Sequence, residues 1–242
     1  MENSGGSFIR LKYHYNLMVI KKSGDQESYL NRGTYDKALR NFPPAYLSYH
    51  QREEWFFRDN VRVGSNVLDV GCGELRTIMP LAVHVGAKGK VVGIDFNQRS
   101  YENAKRKAEV FKNVEILKLD ARELNELPYE FDFILFPFEL LGLLEIKDQV
   151  PVLRKARGKL KPRGKILATV FSEYAPSAQF EMYQLLWGPR APRVNKNYVY
   201  GGDGYKAETF TKYEIAGLFS RAGLKPEVRE LTRMAYSVRA VA

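Results

Sequence analysis

From residue 61 onward, short runs of β-branched and other apolar residues alternate with helical stretches. This alternation limits the possible folds more than any other feature, because it is the pattern of a parallel sheet with helices on both faces. The predicted strands are almost wholly apolar, as strands buried on both faces are. They cover residues 67–70, 91–95, 114–119, 131–136 and 165–171, and the predicted helices between them cover 74–85, 99–111 and 150–160.

The end of the chain has a different pattern. A helix is predicted over 212–222, with Thr211 as its cap and Gly223 at its terminating position. Two further strands, 228–231 and 236–241, are separated by too few residues for a helical crossover, so we expect an antiparallel hairpin. The predicted fold class is α/β, a doubly wound and mostly parallel seven-stranded sheet whose last strand is antiparallel.

Two segments lie outside this alternation. Residues 1–60 form an N-terminal extension with a predicted helix over 45–59, and we expect it to cover the ligand pocket. Residues 173–208 are an insertion between the fifth strand and the last helix, and we expect it to act as a lid. Within the insertion we predict a short helix over 178–187 and then an irregular run over 188–206. The remaining domain, 61–242, is predicted to hold the ligand.

Composition excludes several classes of protein. The single cysteine, Cys72, and three histidines cannot supply a zinc ligand set, so we expect no metal. The most apolar stretch, 131–146, contains three carboxylates and cannot provide the roughly 20 apolar residues of a membrane-spanning helix. No apolar run follows a basic start, as it would in a secretory signal. The expectation is a soluble, cytoplasmic protein with no membrane partner.

The most informative motif is VLDVGCGE at residues 67–74, a strand that ends in a glycine-rich turn and opens a helix. Gly71 and Gly73 have no side chains to block a ligand, so the turn brings bare backbone close to one. At the end of the next predicted strand, Asp95 is suited to accept two hydrogen bonds from a ribose. The alternative is a structural role, because aspartates at strand ends often cap turns.

The third strand ends in the same way. Asp120 is followed by Ala121, where an adenine ring fits with its amine near the carboxylate; a capping role is the alternative here too. A nicotinamide or flavin dinucleotide site would require a third glycine at the position of Arg76. The acid at Asp69 instead suits a ligand that carries an ammonium group beside the turn.

In this order, five segments resemble the class I S-adenosylmethionine-dependent methyltransferases: residues 67–73, 92–95, 119–121, 131–134 and 160–165. The resemblance covers roughly residues 60–242 and implies S-adenosylmethionine as cofactor. One departure lies in the loop, where many members have a glycine and this chain has Leu75.

The resemblance also implies roles for individual residues. Asp69, Gly71 and Gly73 would hold the methionine portion, and Asp95 the ribose. Three more residues complete the cofactor site at the adenine end: Asp120, Ala121 and Phe96, the last packing on the adenine or ribose. Two neighbours of these motifs are assigned to the same site, Cys72 in the turn and Phe136 at the end of the fourth strand.

Methyl transfer from a sulfonium is an in-line displacement, so the acceptor must be aligned behind the methyl carbon. We expect the acceptor beyond the fourth strand, where the chain reads FPFELL at residues 136–141. Glu139 is the candidate acid or base, and the alternative is that it caps the next helix. The string lacks the polar residue and second proline of adenine and glutamine methyltransferases. Cytosine C5 methylation needs a cysteine nucleophile, and Cys72 lies in the donor loop.

The formal net charge of +10 raises the question of an anionic partner. The densest basic run, 154–165, lies at a helix end and the start of the fifth strand, opposite the predicted ligand edge. Tyr35, Arg193, Tyr198 and Tyr200 are the predicted substrate contacts.

The favoured function is therefore methyl transfer to an oxygen or nitrogen of a small molecule. A methyltransferase for RNA or protein and a non-catalytic nucleoside-binding protein are the alternatives. The oligomeric state stays open, with a homodimer among the alternatives.

Overall fold

The structure is a computed structural model that describes residues 42–188, 193–195, 197–201 and 205–242, apart from the side chains of Leu186 and Trp187. Its helices are α1 (Pro44–Asn60), α2 (Ile78–Val85), α3 (Gln98–Ala108), α4 (Leu140–Leu143), α5 (Ile146–Arg157), α6 (Pro176–Trp187) and α7 (Lys212–Arg221). The first five strands are β1 (Asn66–Val70), β2 (Lys90–Asp95), β3 (Val114–Lys118), β4 (Phe131–Phe136) and β5 (Leu160–Phe171). The other strands are β6 (Arg193–Asn195), β7 (Tyr198–Tyr200), β8 (Lys206–Glu208), β9 (Lys225–Thr232) and β10 (Ala235–Val241).

Seven strands form one sheet in the order β3-β2-β1-β4-β5-β10-β9. The first five are parallel, and β10 runs antiparallel to both β5 and β9. This confirms the predicted fold class and the terminal hairpin. The strand order reverses between β1 and β4, and ligands of open α/β sheets bind at the carboxyl ends of the strands beside such a reversal.

Alternating side chains of the strands pack against helices on both faces of the sheet. In β4, for example, Ile134 and Phe136 point to one face, and Phe133 and Leu135 to the other. Helices α5 and α7 cover the first face, and α1, α2 and α3 cover the second. A third cluster, which we call the aromatic cap, joins buried residues of α1, the end of β5, α6 and β7–β8; its members include Tyr46, Tyr49, Phe171, Tyr183, Val199 and Tyr205.

Three elements have boundaries that differ from the prediction. The helix expected from residue 74 begins at Ile78, because Gly71, Gly73 and Leu75 all have positive φ and the backbone becomes helical only after them. The strand expected over 165–171 extends back to Leu160, with a register shift where it pairs with β4. The helix expected over 150–160 also begins earlier and ends earlier, at Ile146 and Arg157.

The expectation of an irregular run over 188–206 is wrong for residues 193–195, 198–200 and 206, which lie in strands. Strands β6, β7 and β8 form a small antiparallel sheet in this insertion. Each strand has only three residues, which is too few for a hydrophobic period to be visible in the sequence. Val199 in the middle strand is completely buried and fixes this small sheet on the aromatic cap.

Among the described residues, no helix is long and apolar enough to cross a membrane. The same part of the chain contains no group of three or more histidine, cysteine or acidic side chains that could hold a metal ion.

Candidate functional site

The glycine turn after β1 is shaped to admit a ligand. Gly71 has a φ of +70°, and a Cβ there would lie 2.8 Å from Cδ1 of Leu140, so a larger residue would collide with α4. Gly73 has a φ of +50°, and a Cβ there would meet no atom of the described residues within 4 Å. The turn therefore keeps open space directly beside its backbone, at the carboxyl end of the central strand.

Asp69 lies in β1 and is completely buried. Neither of its carboxylate oxygens has a hydrogen-bond partner among the described residues. Burial raises the pKa of this carboxyl to about 8, and the charge of Arg76 counteracts only part of that effect. A buried carboxylate without a partner is costly, so its position suits a cationic group such as the ammonium that the resemblance implies.

Asp95 ends β2 and lies across the turn from Asp69. Its Oδ2 accepts a hydrogen bond from the Gly73 amide at 2.9 Å, and its Oδ1 accepts one from the Asn97 amide at 2.9 Å. Burial raises the pKa of this carboxyl, whereas these two amides lower it. Each oxygen keeps a second lone pair for a ligand hydroxyl. Phe96 follows with half of its side chain exposed, and so offers a flat apolar face beside the carboxylate.

Asp120 and Ala121 lie next to Asp95, because the amide of Leu119 donates a hydrogen bond to the Asp95 carbonyl at 3.1 Å. Asp120 accepts hydrogen bonds from the backbone and guanidinium of Arg122, and these lower the pKa of its carboxyl. It also caps a short 3-10 helix, Ala121–Glu126. Asp120 therefore has the capping role given above as its alternative. Its Oδ2 also forms an ion pair with Arg122 at 2.6 Å.

Cys72 and Phe136 direct their side chains away from the ligand edge. The Cys72 thiol packs in the core against Gly93, where a Cβ would lie 2.9 Å from its sulfur. Phe136 is completely buried among core residues on the other face. Both residues are predicted cofactor contacts, and the structure instead places their side chains in the hydrophobic core.

Glu139 follows β4 and is almost completely buried. Both Phe138 and Glu139 have positive φ, a strained arrangement for residues with side chains and one that concentrates at functional sites. One carboxylate oxygen accepts a hydrogen bond from the amide of Phe171, and the other has no hydrogen-bond partner among the described residues. Burial raises the pKa of this carboxyl well above its usual range. Its side chain does not cap α4, so the capping alternative is not observed.

The predicted substrate contacts of the insertion lie on the small sheet. The rings of Tyr198 and Tyr200 are 6.1 Å apart on one face of β7, and Nζ of Lys206 lies 5.4 Å from the centroid of Tyr198. Arg193 is exposed on the neighbouring strand. Tyr205, in contrast, packs edge-on against Tyr183 and belongs to the buried aromatic cap. The predicted contact Tyr35 lies outside the described residues.

The sequence analysis missed a buried polar network that joins α1 to the same edge of the sheet. Glu53 of α1 is completely buried and forms an ion pair with Arg76 at 2.5 Å. The same carboxylate accepts hydrogen bonds from Tyr49, from Thr169 in β5 and from the Phe138 amide. A signal was available, since the buried positions of α1 recur at helical spacing and place Glu53 in the middle of an aromatic stripe.

A histidine belongs to this missed group as well. The ring of His50 stacks on Phe138 with centroids 5.1 Å apart, and the Arg76 guanidinium lies 5.3 Å from the same phenyl ring. Burial lowers the pKa of His50 to about 3, so its imidazole is neutral. Helix α1 therefore contributes aromatic and ionised side chains directly to the ends of β4 and β5.

Most of the contacts of the basic run lie toward the opposite edge of the sheet. Lys161 forms an ion pair with Asp132 at 3.0 Å, near the amino end of β4. Arg154 donates a hydrogen bond to the carbonyl of Arg221 at 2.9 Å, and Lys159 donates to the carbonyl of Leu127. Lys155 differs, because it donates to the carbonyl of Arg122 and its charge lowers the pKa of Asp120.

Comparisons with known proteins agree with this geometry. Residues 62–214 match a family model described as a methyltransferase domain. The chain is 30% identical over 211 residues to the demethylmenaquinone methyltransferase of Staphylococcus saprophyticus, which covers 83% of this chain and 87% of that protein. It is 29% identical over 210 residues to the protein of the same name from Bacillus subtilis, with coverage of 80% and 88%.

Solved structures share the fold. An S-adenosylmethionine-dependent methyltransferase from Aquifex aeolicus superposes with a TM-score of 0.59 at 23% identity, covering 84% of this chain and 96% of that one. The 1,6-didemethyltoxoflavin-N1-methyltransferase of Burkholderia thailandensis, with 1,6-didemethyltoxoflavin and S-adenosylhomocysteine bound, gives 0.57 at 16% identity and covers 86% and 84%.

Proposed function

The chain belongs to the class I S-adenosylmethionine-dependent methyltransferases, and from that premise we propose that it methylates an oxygen or nitrogen of a small-molecule acceptor by in-line displacement. It is an enzyme that uses S-adenosylmethionine as methyl donor, so a binding protein without catalysis is set aside. The identity of the acceptor and the roles of individual residues are the subject of the proposal.

The buried carboxylate of Asp69 supports this function most directly. Its two oxygens lack partners among the described residues, and the open space beside Gly73 adjoins the same turn. When bound, S-adenosylmethionine supplies a methyl carbon attached to a positively charged sulfur. Asp69 would hold the ammonium of the donor and Asp95 its ribose hydroxyls, while Phe96 would cover one face of the nucleoside. Asp120 and Ala121 would border the adenine.

Two observations favour a small, largely apolar acceptor. Four rings pack together at the ends of β4 and β5, and the centroids of neighbouring rings are 5.1 to 5.9 Å apart. They belong to Tyr49, His50, Phe138 and Phe171. Such a wall suits an aromatic or apolar molecule better than a phosphate backbone. The relatives from Staphylococcus saprophyticus and Bacillus subtilis are named for demethylmenaquinone, which is a small molecule.

The added segments would then enclose the pocket. Helix α1 reaches the ends of β4 and β5 through Glu53 and its neighbours. We propose that residues 1–60 cover one side of the pocket, with Tyr35 among the contacts, and that the insertion covers the other. Arg193, Tyr198 and Tyr200 would then meet the acceptor. Exclusion of water by such a cover prevents hydrolysis and strengthens electrostatic contacts in the site.

Glu139 would act from the end of β4 in its protonated form. Burial raises the pKa of its carboxyl and favours the neutral form, which is suited to donate a hydrogen bond that orients the acceptor. Gly142 makes room for this side chain, because a Cβ at position 142 would overlap the Glu139 carboxylate.

Radiolabelled methyl transfer tests the proposal. Purified protein is incubated with methyl-labelled S-adenosylmethionine and, separately, with phenols, amines, demethylmenaquinone-type quinols, RNA and protein. We expect label in an extractable small molecule, and mass spectrometry and NMR of the product to locate the methyl group on oxygen or nitrogen. Label found only in RNA or protein would overturn the small-molecule acceptor, and a methyl on carbon would overturn the acceptor atom.

A further inference from the structure

Glu53 is an ionised carboxylate inside the protein. Its Oε1 accepts hydrogen bonds from the Tyr49 hydroxyl at 2.8 Å, the Phe138 amide at 2.8 Å and the Thr169 hydroxyl, and its Oε2 pairs with Arg76 at 2.5 Å. Burial by itself would raise the pKa of Glu53, but Arg76 and these donors together lower it. A carboxylate satisfied in this way holds the guanidinium at a defined position.

Arg76 is held between two acids that both need a cation. It lies three residues after Gly73, and the charge of its guanidinium is the main influence that favours the ionised form of Asp69. No hydrogen bond joins Arg76 to Asp69, since both Asp69 oxygens lack partners among the described residues. The guanidinium is instead engaged by Glu53 and lies 5.3 Å from the ring of Phe138.

We propose that Glu53 is a positioning residue for donor binding: it holds Arg76 away from Asp69, so that Asp69 stays available to the ammonium group of S-adenosylmethionine. The inference rests on the proposed donor site. Without the negative charge of Glu53, Arg76 would be drawn more strongly to Asp69, on which its charge already acts, and a guanidinium there would both occupy the carboxylate and repel the ammonium. Glu53 precedes the residues matched by the family model, which begin at 62.

Calorimetric titration with S-adenosylhomocysteine tests the competition. Glu53→Gln keeps the size of the side chain but removes its charge, and we expect it to weaken binding by about tenfold or more. The double variant Glu53→Gln/Arg76→Gln removes the competing cation as well, so we expect affinity to return to within about threefold of wild type. A purely structural role predicts the opposite, because a second substitution in the same ion pair would add to the damage.

A second ligand separates the ammonium contact from general damage to the pocket. 5′-Methylthioadenosine contains the nucleoside and sulfur of the donor but no ammonium group. We expect Glu53→Gln to leave its affinity within about twofold of wild type, since the lost interaction concerns only the ammonium. Equal losses for both ligands, or no recovery in the double variant, would overturn the inference.

If Glu53→Gln alone does not fold, two double variants that differ in the charge at position 76 still test the inference. Glu53→Gln/Arg76→Lys and Glu53→Gln/Arg76→Gln differ in the cation at position 76, and the lysine variant should bind S-adenosylhomocysteine about tenfold more weakly. Equal affinities would overturn the inference. If wild-type protein fails to bind S-adenosylhomocysteine, the proposed function itself fails; if it binds and Glu53→Gln binds equally well, only the role of Glu53 fails.

Discussion

At the scale of single residues, the buried carboxylate of Asp69 lowers the stability of the folded protein, and the same carboxylate is the proposed contact for the donor. Its pKa in the folded protein, about 8, is raised above the value near 3.9 of an unfolded chain. The folded state therefore holds the proton more tightly, and stability falls as the pH rises through the interval between these two values. Above about pH 8 the full cost of a buried, unpaired carboxylate is present.

We expect Asp69→Asn to be more stable than wild type, with the difference growing between pH 5 and pH 8 to roughly 1 to 3 kcal/mol. The same change should abolish detectable binding of S-adenosylhomocysteine, because the ammonium loses its anion. Urea unfolding at several pH values and calorimetry measure the two effects. Asp132→Asn is the control, since Asp132 pairs with Lys161 at the far edge and should leave ligand affinity unchanged.

Glu139 can be tested through its charge state. Because burial favours the protonated form of the Glu139 carboxyl, Glu139→Gln should retain stability within about 1 kcal/mol, whereas Glu139→Ala should lose about 1 to 3 kcal/mol. If the carboxyl also takes up the proton that the acceptor releases, Glu139→Gln should lower kcat by about 100-fold or more while the affinity for S-adenosylhomocysteine holds. Unchanged kcat in this variant would limit Glu139 to a structural role.

At the scale of elements, the loop between β1 and α2 has an unusual residue in a left-handed conformation. Leu75 has a φ of 73° and is completely buried, so the glycine common in the family is replaced by a side chain that fills the core. The loop shape is therefore kept at a cost of roughly 1 to 2 kcal/mol in backbone strain, which burial of the leucine offsets.

The positive φ of Leu75 predicts that its glycine and alanine variants have the opposite order of stability from the one usual in a helix. Leu75→Gly should be more stable than Leu75→Ala by about 1 kcal/mol, because glycine accepts positive φ without strain. At Leu81, buried in α2, the order should be the reverse by a similar amount. Thermal unfolding of the four variants measures both differences, and the same order at the two sites would contradict the strained conformation.

The small sheet β6–β8 is the element that bears on acceptor choice. We expect Tyr198→Ala and Tyr200→Ala to raise the KM for the acceptor by about tenfold, with no change in the affinity for S-adenosylhomocysteine. Tyr213→Ala on α7 is the matched control, since that tyrosine is exposed and is not a member of the aromatic cap. A parallel loss of donor affinity would mean that the sheet supports the whole pocket rather than the acceptor.

At the scale of the whole molecule, most of the densest basic run is separated from the glycine turn. Arg154, Lys159 and Lys161 join helices and loops toward the opposite edge of the sheet, whereas Lys155 lies near Asp120. We therefore expect methyl transfer to a small molecule to continue undiminished when RNA is added at physiological ionic strength. Inhibition that falls steeply as salt is raised would instead indicate a nucleic-acid site.

The sequence determined the parts of the molecule that depend on local pattern. The strands of the main sheet, their order in the chain, the terminal hairpin and the acids at the ends of β1, β2 and β3 are all visible as periodic runs and short motifs. Repeated apolar strands specify a buried parallel sheet, and the topology of such a sheet brings the carboxyl ends together. The sequence alone therefore predicts that Asp69, Gly73 and Asp95 belong to one site.

Only the tertiary structure decided which side chains reach that site from distant parts of the chain. Glu53 and Arg76 are 23 positions apart and Glu53 and Thr169 116 apart, and no local pattern links them. It also decided that the side chains of Cys72 and Phe136 turn inward, because the direction of a side chain at a strand end depends on what packs against it. Packing across the fold brings the charges of Glu53 and Arg76 close to Asp69. Such packing leaves no pattern in the sequence.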